Sequence, residues 1–293
     1  MLYRTLGKTG LKVSVVGIET HQWSGMGGRL FTVADIRAIL KKASRMGINF
    51  IDTGECYFFH ASERLIGEAL GKDRKKFIIA TKFGHESFPG EVKSIWSLEE
   101  IQKQLERSLA ALQTDYIDIY QLHVNSQEDV KQITKHAEDV KKFLKDAKRS
   151  GKVRHIGIVL GDDSFLDKEA KILSFVLRYF PIETVQVLYN RLDDEAEKKI
   201  FPIAKARNLG IIVRVPLAKG YLSSRFKPTN KNYDKKRMAL AEKIKLEELP
   251  KGKDLAEWAI GWTLRGGKVA TVIPGCTAID QLDSTVRAVE SIA

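Results

Sequence analysis

Three successive apolar runs in this chain each close on a side chain that can move or hold a proton. Gly47 to Ile51 runs into Asp52, Phe77 to Thr81 runs into Lys82, and Tyr116 to Leu122 runs into His123. Tyr57 follows Asp52 by five positions, across the loop Thr-Gly-Glu-Cys. Brought together, these four groups make a proton-donating site. A phenol titrates near 10, and an ammonium a few ångströms away is expected to lower that by ~1–3 units. Asp52 would keep Lys82 charged and in place, and His123 could hydrogen-bond a substrate oxygen without titrating. The outcome is an oriented acid facing a carbonyl. Each residue alone has a plainer use: half of an ion pair for Asp52 or Lys82, a core imidazole for His123, a loop anchor for Tyr57. Their joint occurrence on consecutive strand-like units favours the catalytic reading.

The elements that must position them follow a recurring phrase. A helix ends in Arg or Lys, a Gly follows, and a β-rich run begins. The phrase occurs at Arg45-Met-Gly47, Arg149-Ser-Gly151, Arg207-Asn-Leu-Gly210 and Arg265-Gly-Gly267. A Gly there accepts the left-handed conformation past a helix end, and the cation suits the negative end of the helix dipole. Eight strands are expected near 14–18, 48–52, 77–82, 116–123, 153–160, 184–190, 210–216 and 269–274. Helices are expected between them, including Val33–Met46, Leu98–Leu112, Glu128–Arg149, Ala196–Asn208 and Leu255–Leu264. Strands joined through helices run parallel. Eight such units without a linker fit an α/β fold of one domain over 1–293, a single (β/α)8 TIM barrel preceded by a β-hairpin around Gly7 to Gly10. Catalytic groups of such a barrel gather at the C-terminal strand ends, which is where Asp52, Lys82 and His123 stand. A doubly wound nucleotide fold fits less well, because Gly25-Met-Gly27-Gly28 lacks the required glycine spacing and lies past the first strand. Gly7-Lys8-Thr9 looks like the tail of a phosphate loop, but no strand precedes it and no helix follows.

With 293 residues, 43% hydrophobic and 29% charged, the composition is that of a water-soluble globular chain. No apolar run approaches the ~20 residues of a membrane span. The start, Met-Leu-Tyr-Arg-Thr-Leu-Gly, lacks the pattern of a signal peptide. Two distant cysteines, Cys56 and Cys276, suit a reducing cytoplasm. The net charge of +12 favours anionic ligands, yet the basic residues are interleaved with acids even in the densest stretch, Lys227 to Lys245. That is read as solvated helix faces, with no nucleic-acid module and no membrane surface among the partners. The remaining histidines, His21, His60, His85, His136 and His155, show no metal-ligand spacing. Trp23, Phe58, Phe59 and Trp96 are candidates for an apolar mouth or for packing. Nothing in the sequence fixes an oligomeric state.

Asp-Thr-Gly-Glu-Cys-Tyr57, Ala-Thr-Lys82-Phe-Gly, Tyr-Ile-Asp-Ile-Tyr-Gln-Leu-His123 and Gly-Lys-Val-Arg-His-Ile-Gly157, in this order, resemble the aldo-keto reductase family. The resemblance runs from Tyr3 to Gly275 and includes Ser62-Glu63 to Leu70, Gln186 to Asn190 and Val215 to Gly220. It implies an oxidoreductase that transfers hydride between NADPH, with NADH as an alternative, and a small-molecule aldehyde or ketone. Tyr57 would donate the proton, and Asp52, Lys82 and His123 would complete the tetrad. The resemblance also implies cofactor contacts from Thr20, Asp52, Gln186, Arg214, Pro216, Leu217, Gly220, Arg225, Gly275, Thr277 and Gln281. Several of these places depart from the family pattern. Val159-Leu160 stand for Ser-Asn at the nicotinamide amide, Arg214 for a stacking Tyr, and Thr277 for a cation. Ser284-Thr285 replace Glu-Asn, and Glu19-Thr20-His21 replace Gly-Thr-Trp. A catalytically weak or inactive nucleotide-binding or regulatory protein on the same barrel is therefore the alternative function. A lyase or isomerase barrel, with Lys82 as a Schiff-base former, is a third.

Overall fold

The computed structural model describes residues 1–25, 28–88, 91–161, 166–225 and 233–290. Residues 26–27 of the Gly25–Gly28 stretch and 227–232 of the basic stretch from Lys227 lie outside them. β1 (Tyr3–Thr5) and β2 (Lys12–Ser14) form the expected antiparallel hairpin, with Tyr3 opposite Ser14. The barrel strands then run β3 (Ile18–Glu19), β4 (Phe50–Asp52) and β5 (Ile78–Phe83). A second hairpin of β6 (His85–Phe88) and β7 (Glu91–Ser94) intervenes. The barrel continues through β8 (Ile117–Val124), β9 (Val153–Leu160), β10 (Thr184–Leu188), β11 (Gly210–Arg214) and β12 (Thr271–Ile273). All eight pair in parallel in chain order. The first and last meet through parallel bridges of Val16 with Val272 and Glu19 with Gly275, so the sheet closes on itself. This is the (β/α)8 barrel with its N-terminal hairpin.

Eleven helices among the described residues wrap the outside. They are α1 (Val33–Arg45), α2 (Ala61–Leu70), α3 (Leu98–Ala111), α4 (Gln127–Lys135), α5 (Ala137–Arg149) and α6 (Leu166–Tyr179), then α7 (Ala196–Lys199), α8 (Phe201–Ala206), α9 (Lys235–Glu247), α10 (Leu255–Leu264) and α11 (Ile279–Glu290). In α1 the buried residues are Ile36, Ile39, Leu40 and Ala43, spaced by three, one and three. That spacing turns one apolar face to the sheet. Thr32 and Asp35 close its start as a capping box, and Gly47 at φ 80° ends it.

Some boundaries differ from expectation. Glu128–Arg149 is two helices, because the backbone leaves helical geometry at His136 (φ −105°, ψ 21°). Ala196–Asn208 is likewise split into α7 and α8, with Pro202 in the first turn of α8, where its missing N–H costs nothing. The β6–β7 hairpin follows Lys82 so closely that its alternation merges with the strand before it.

Period two along the strands sorts the barrel interior into a dry floor and a polar mouth. Leu6 and Val13 of the hairpin meet Phe50, Ala80, Ile119 and Ile212 in one buried cluster. Two residues further along the same strands stand Asp52, Lys82, Gln121 and Arg214. The hairpin therefore plugs the end opposite the polar groups. Its tip packs so tightly that a Cβ on Gly7 would lie 2.2 Å from the Gly210 nitrogen. Leu6 is fully buried in this plug, so Leu6→Ala should lower unfolding stability by about 2–5 kcal/mol in urea titrations. A loss below about 1 kcal/mol would show that the hairpin is not part of the core.

Candidate active site

Asp52 ends β4, and Lys82 lies one residue before the end of β5; both are almost wholly buried, at 0% and 1% exposure. Lys82 Nζ donates to Asp52 Oδ2 at 2.6 Å, to the Thr53 carbonyl at 2.5 Å and to the Tyr57 hydroxyl at 2.8 Å. These are three acceptors for three ammonium protons. The Tyr57 oxygen therefore receives a hydrogen from Lys82, and its own O–H is left to point elsewhere. The other Asp52 oxygen, Oδ1, accepts from Gln121 Nε2 at 3.1 Å and from Gln186 Nε2 at 2.6 Å. Three donors, from β5, β8 and β10, thus fix the carboxylate.

Tyr57 sits on the loop after β4, ahead of three residues in left-handed backbone, Phe58, Phe59 and His60 (φ 54°, 52° and 61°). Such a run is costly for residues with a Cβ and persists only where the surroundings enforce it. The enforcement is visible: the His60 N–H donates to the Glu55 carbonyl at 2.9 Å, and His60 Nδ1 lies 2.5 Å from the buried Glu63 carboxylate. His21 packs edge-on against the Tyr57 ring at 5.0 Å between centroids. The phenol's pKa departs from expectation in sign. Burial raises it well above 10, and the carboxylates Glu19 and Asp52 add to the rise. Asp52 offsets the Lys82 charge, so the ammonium acts as a local hydrogen-bond donor more than as a net positive field. Tyr57 is therefore held as an acid with its proton on.

His123 lies one residue before the end of β8 and lines a cavity of about 270 Å³ together with His21, Cys56, Tyr57, Lys82 and Gln186. Its pKa is pushed well below 6.5 by burial, with His85, Lys82 and Arg214 adding to the fall, so it is neutral. Three residues beyond the expected four join the site. Glu19 approaches Tyr57 and Asp52, and burial pushes its carboxyl up to about 7. His85 Nδ1 lies 3.1 Å from His123 Nδ1, and Asn125 Nδ2 lies 3.1 Å from His123 Nε2. Of these only Glu19, an acid beside a strand end, stood out in the sequence; His85 opens the β6–β7 hairpin and Asn125 lies on the loop after β8, and spacing reveals the course of neither. Of the aromatic mouth candidates, Trp23 is buried with Nε1 donating to the Cys276 carbonyl at 2.6 Å, and Trp96 is buried against Phe83. Both are packing; Phe58 is exposed.

The residues expected to hold a cofactor lie around the same barrel end, with their side chains already partnered in part. Gln186 holds Asp52, and Thr20 Oγ1 donates to the Asp52 carbonyl at 3.0 Å. Arg214 Nη2 donates to the Gly161 carbonyl and, at 3.3 Å, to that of Leu160, while its buried Nε has no partner. Pro216, Leu217 and Gly220 form a lip in which Val215, Ala218 and Lys219 have φ of 50–60°. Gly275 admits the Gln22 side chain, whose buried Oε1 also lacks a partner and would lie 2.7 Å from a Cβ at Gly275. Gln281 Oε1 accepts from the Thr277 and Ala278 N–H groups at 2.7 and 3.1 Å. Arg225 pairs with Asp280 at 2.7 Å on the surface. Buried unpartnered polar atoms at Arg214 and Gln22, on either side of an open strand end, fit a nucleotide with polar edges. Among the described residues no group of three or more His, Cys, Asp or Glu is arranged to hold a metal ion.

Comparison with known proteins gives the family and the fold. The model of the aldo/keto reductase family matches residues 20–292. The chain belongs to the aldo/keto reductase family. It is 30% identical to L-galactose dehydrogenase of Arabidopsis thaliana over 300 residues, covering 99% of this chain and 88% of that one. It is 26% identical to the uncharacterized oxidoreductase YqkF of Bacillus subtilis, over 98% of this chain and 91% of the relative. Among solved structures, the holo form of aldo-keto reductase AKR11C1 from Bacillus halodurans superposes with a TM-score of 0.82 at 30% identity, over 99% of this chain and 91% of that one. This family member is thus an oxidoreductase on the barrel that the eight strand–helix units had outlined.

Glu19 supplies a pH test of the site. Its folded-state pKa of about 7 lies above the ordinary 4.5, so the folded protein binds the extra proton and stability falls as pH rises from about 4.5 to about 7. Glu19→Gln should flatten that part of the curve of melting temperature against pH. Parallel curves for the two proteins would mean that Glu19 is as solvated folded as unfolded.

Proposed function

We propose that this family member is an NAD(P)H-dependent reductase of a small aldehyde or ketone, acting as one barrel domain, with Tyr57 as proton donor and Asp52, Lys82 and His123 as its partners. The observation that carries the reading is the Lys82 ammonium divided among Asp52, Thr53 and Tyr57. When bound, the nicotinamide would supply the hydride. The chain's own groups supply the rest. Lys82 donates to the phenol oxygen, so negative charge developing there as the proton leaves meets a fixed N–H. Asp52, anchored by Gln121 and Gln186, keeps Lys82 from turning away. The Tyr57 O–H, with its Lys82 side filled, has the Glu19 carboxyl as a hydrogen-bond neighbour, and a carbonyl oxygen entering the cavity that Tyr57 lines would take that hydrogen instead. Gln186, Arg214, Gly275, Thr277 and Gln281 are the residues assigned to hold the nucleotide, with Thr20, Pro216, Leu217, Gly220 and Arg225 beside them. The preferred form is NADPH, with NADH as an alternative, because Arg225 is engaged by Asp280 and Thr277 brings no charge. Among the described residues no helix is long and apolar enough to cross a membrane; we place the protein in the cytoplasm.

A second reading, a barrel that binds nucleotide with little or no turnover, has one observation in its favour. Val159 and Leu160, both buried and apolar, stand where amide anchors are expected, and the Gln186 amide already holds Asp52. Steady-state oxidation of NADPH with a nitrobenzaldehyde separates the two. The reductase reading expects turnover that Tyr57→Phe lowers by about 10²–10⁴-fold, with nucleotide affinity from calorimetry unchanged. Nucleotide binding without turnover across an aldehyde and ketone panel would favour the second reading, and full activity in Tyr57→Phe would remove Tyr57 from its role.

A further inference from the structure

Behind His123 lies a line of polar groups that the proposed reaction does not use. Asp129 Oδ1 is 2.9 Å from His85 Nε2, His85 Nδ1 is 3.1 Å from His123 Nδ1, and His123 Nε2 is 3.1 Å from Asn125 Nδ2. His85 opens β6, Asp129 is in the first turn of α4, and both are buried. Asp129 is fixed independently of the histidines. Its Oδ2 accepts from the N–H groups of Asn125 and Ser126 at 2.8 Å each, and its Oδ1 also accepts the Ser94 hydroxyl at 2.6 Å. Burial would raise its pKa, but hydrogen bonds from His85, Ser94 and the Asn125 backbone outweigh that and bring it down to about 2. It is therefore a carboxylate, which only accepts, and His85 must keep a hydrogen on Nε2.

What remains is two-valued. A neutral His85 has a bare Nδ1, which takes a hydrogen from His123 Nδ1, and a neutral His123 then has a bare Nε2. A doubly protonated His85 donates from Nδ1 instead, and the His123 hydrogen must sit on Nε2. Asn125 Nδ2, as placed, donates to the bare nitrogen of the first state; against an N–H it has nothing to donate to, which leaves the Nε2 hydrogen of the second state for an acceptor in the cavity. We propose that His85, backed by Asp129, sets which nitrogen of His123 carries its hydrogen, so that the cavity presents a donor at His123 Nε2 to a substrate oxygen only while His85 is protonated. His85 is a positioning residue, acting through His123. The consequence for turnover rests on the reductase reading; the switch itself does not.

The groups facing His85 are consistent with that assignment. Asp129 comes from α4 and His123 from β8. From the loop after β4, Glu55 accepts the His85 N–H at 3.0 Å, and Cys56 Sγ lies 3.6 Å from His123 Nδ1. Gln104 of α3 donates to the His85 carbonyl. Lys82 lines the same cavity. Burial and the neighbouring Glu63 push Glu55 up to about 8, so it is uncharged at neutral pH, and Asp129 is the charged carboxylate that faces His85.

Two-bond ¹⁵N–¹H correlation spectra of the ¹⁵N-histidine-labelled full chain, recorded over pH without substrate, read the tautomers directly. The expected result is His123 with hydrogen on Nδ1 at high pH, moving to Nε2 as His85 gains its second proton. Asp129→Asn should shift that change to lower pH, and in His85→Phe, with its fold checked by circular dichroism, it should be absent. In parallel, the KM for a carbonyl should rise roughly three- to tenfold on the high-pH side in the wild type, and stay level in His85→Phe. The proposal is overturned if His123 carries hydrogen on Nε2 while His85 is neutral, or if its tautomer ignores the titration of His85. A tautomer switch in a protein without turnover would count against the reductase reading and leave this inference standing.

Discussion

The site depends on one buried ammonium with three protons and three fixed acceptors. Lys82 cannot satisfy Asp52, the Thr53 carbonyl and Tyr57 together unless β4, the loop after it and β5 hold their registers to within a few tenths of an ångström. A buried charge missing a partner is costly, by about 3–5 kcal/mol when one member of such a pair is removed. The same demand that makes the cluster expensive makes it unique in geometry. A hydroxyl that already accepts from Lys82 has one direction left for its own hydrogen, and that direction is set by the scaffold.

The barrel meets this demand by a change of polarity along each strand. Phe50, Ala80, Ile119 and Ile212 fill the floor with Leu6 and Val13 from the hairpin. Two residues on, Asp52, Lys82, Gln121 and Arg214 occupy the same inward rows. The dry floor excludes water from one side, which is why burial dominates the pKa of Tyr57, His123 and Glu19. Helices such as α1 and α10 contribute by closing the outer face with buried apolar residues.

Much of this was legible before any coordinates. All eight strands, the parallel order and the hairpin follow from periodicity and from glycines behind basic helix ends. The convergence of Asp52, Lys82 and His123 follows from their place at strand ends. Three things were not legible, each for a physical reason. The break at His136 reflects how α4 and α5 each pack, which an unbroken polar-apolar pattern hides. The direction of the Tyr57 shift depends on how far Asp52 offsets Lys82 against burial, a balance that residue identity alone does not give. The row Asp129, His85, His123 and Asn125 joins a hairpin, a helix start and a loop, so its members share no spacing in the chain.

The central claim is that Asp52 offsets the charge on Lys82 and leaves a buried Tyr57 firmly protonated. The most direct measurement is the ¹³Cζ resonance of Tyr57 in tyrosine-labelled protein, followed upward in pH while circular dichroism shows the fold intact, with Tyr57→Phe giving the assignment. A resonance that stays at the phenol position past pH 10 is the predicted result. Titration below pH 10 would show that the ammonium prevails over burial and the carboxylates, and would contradict the account.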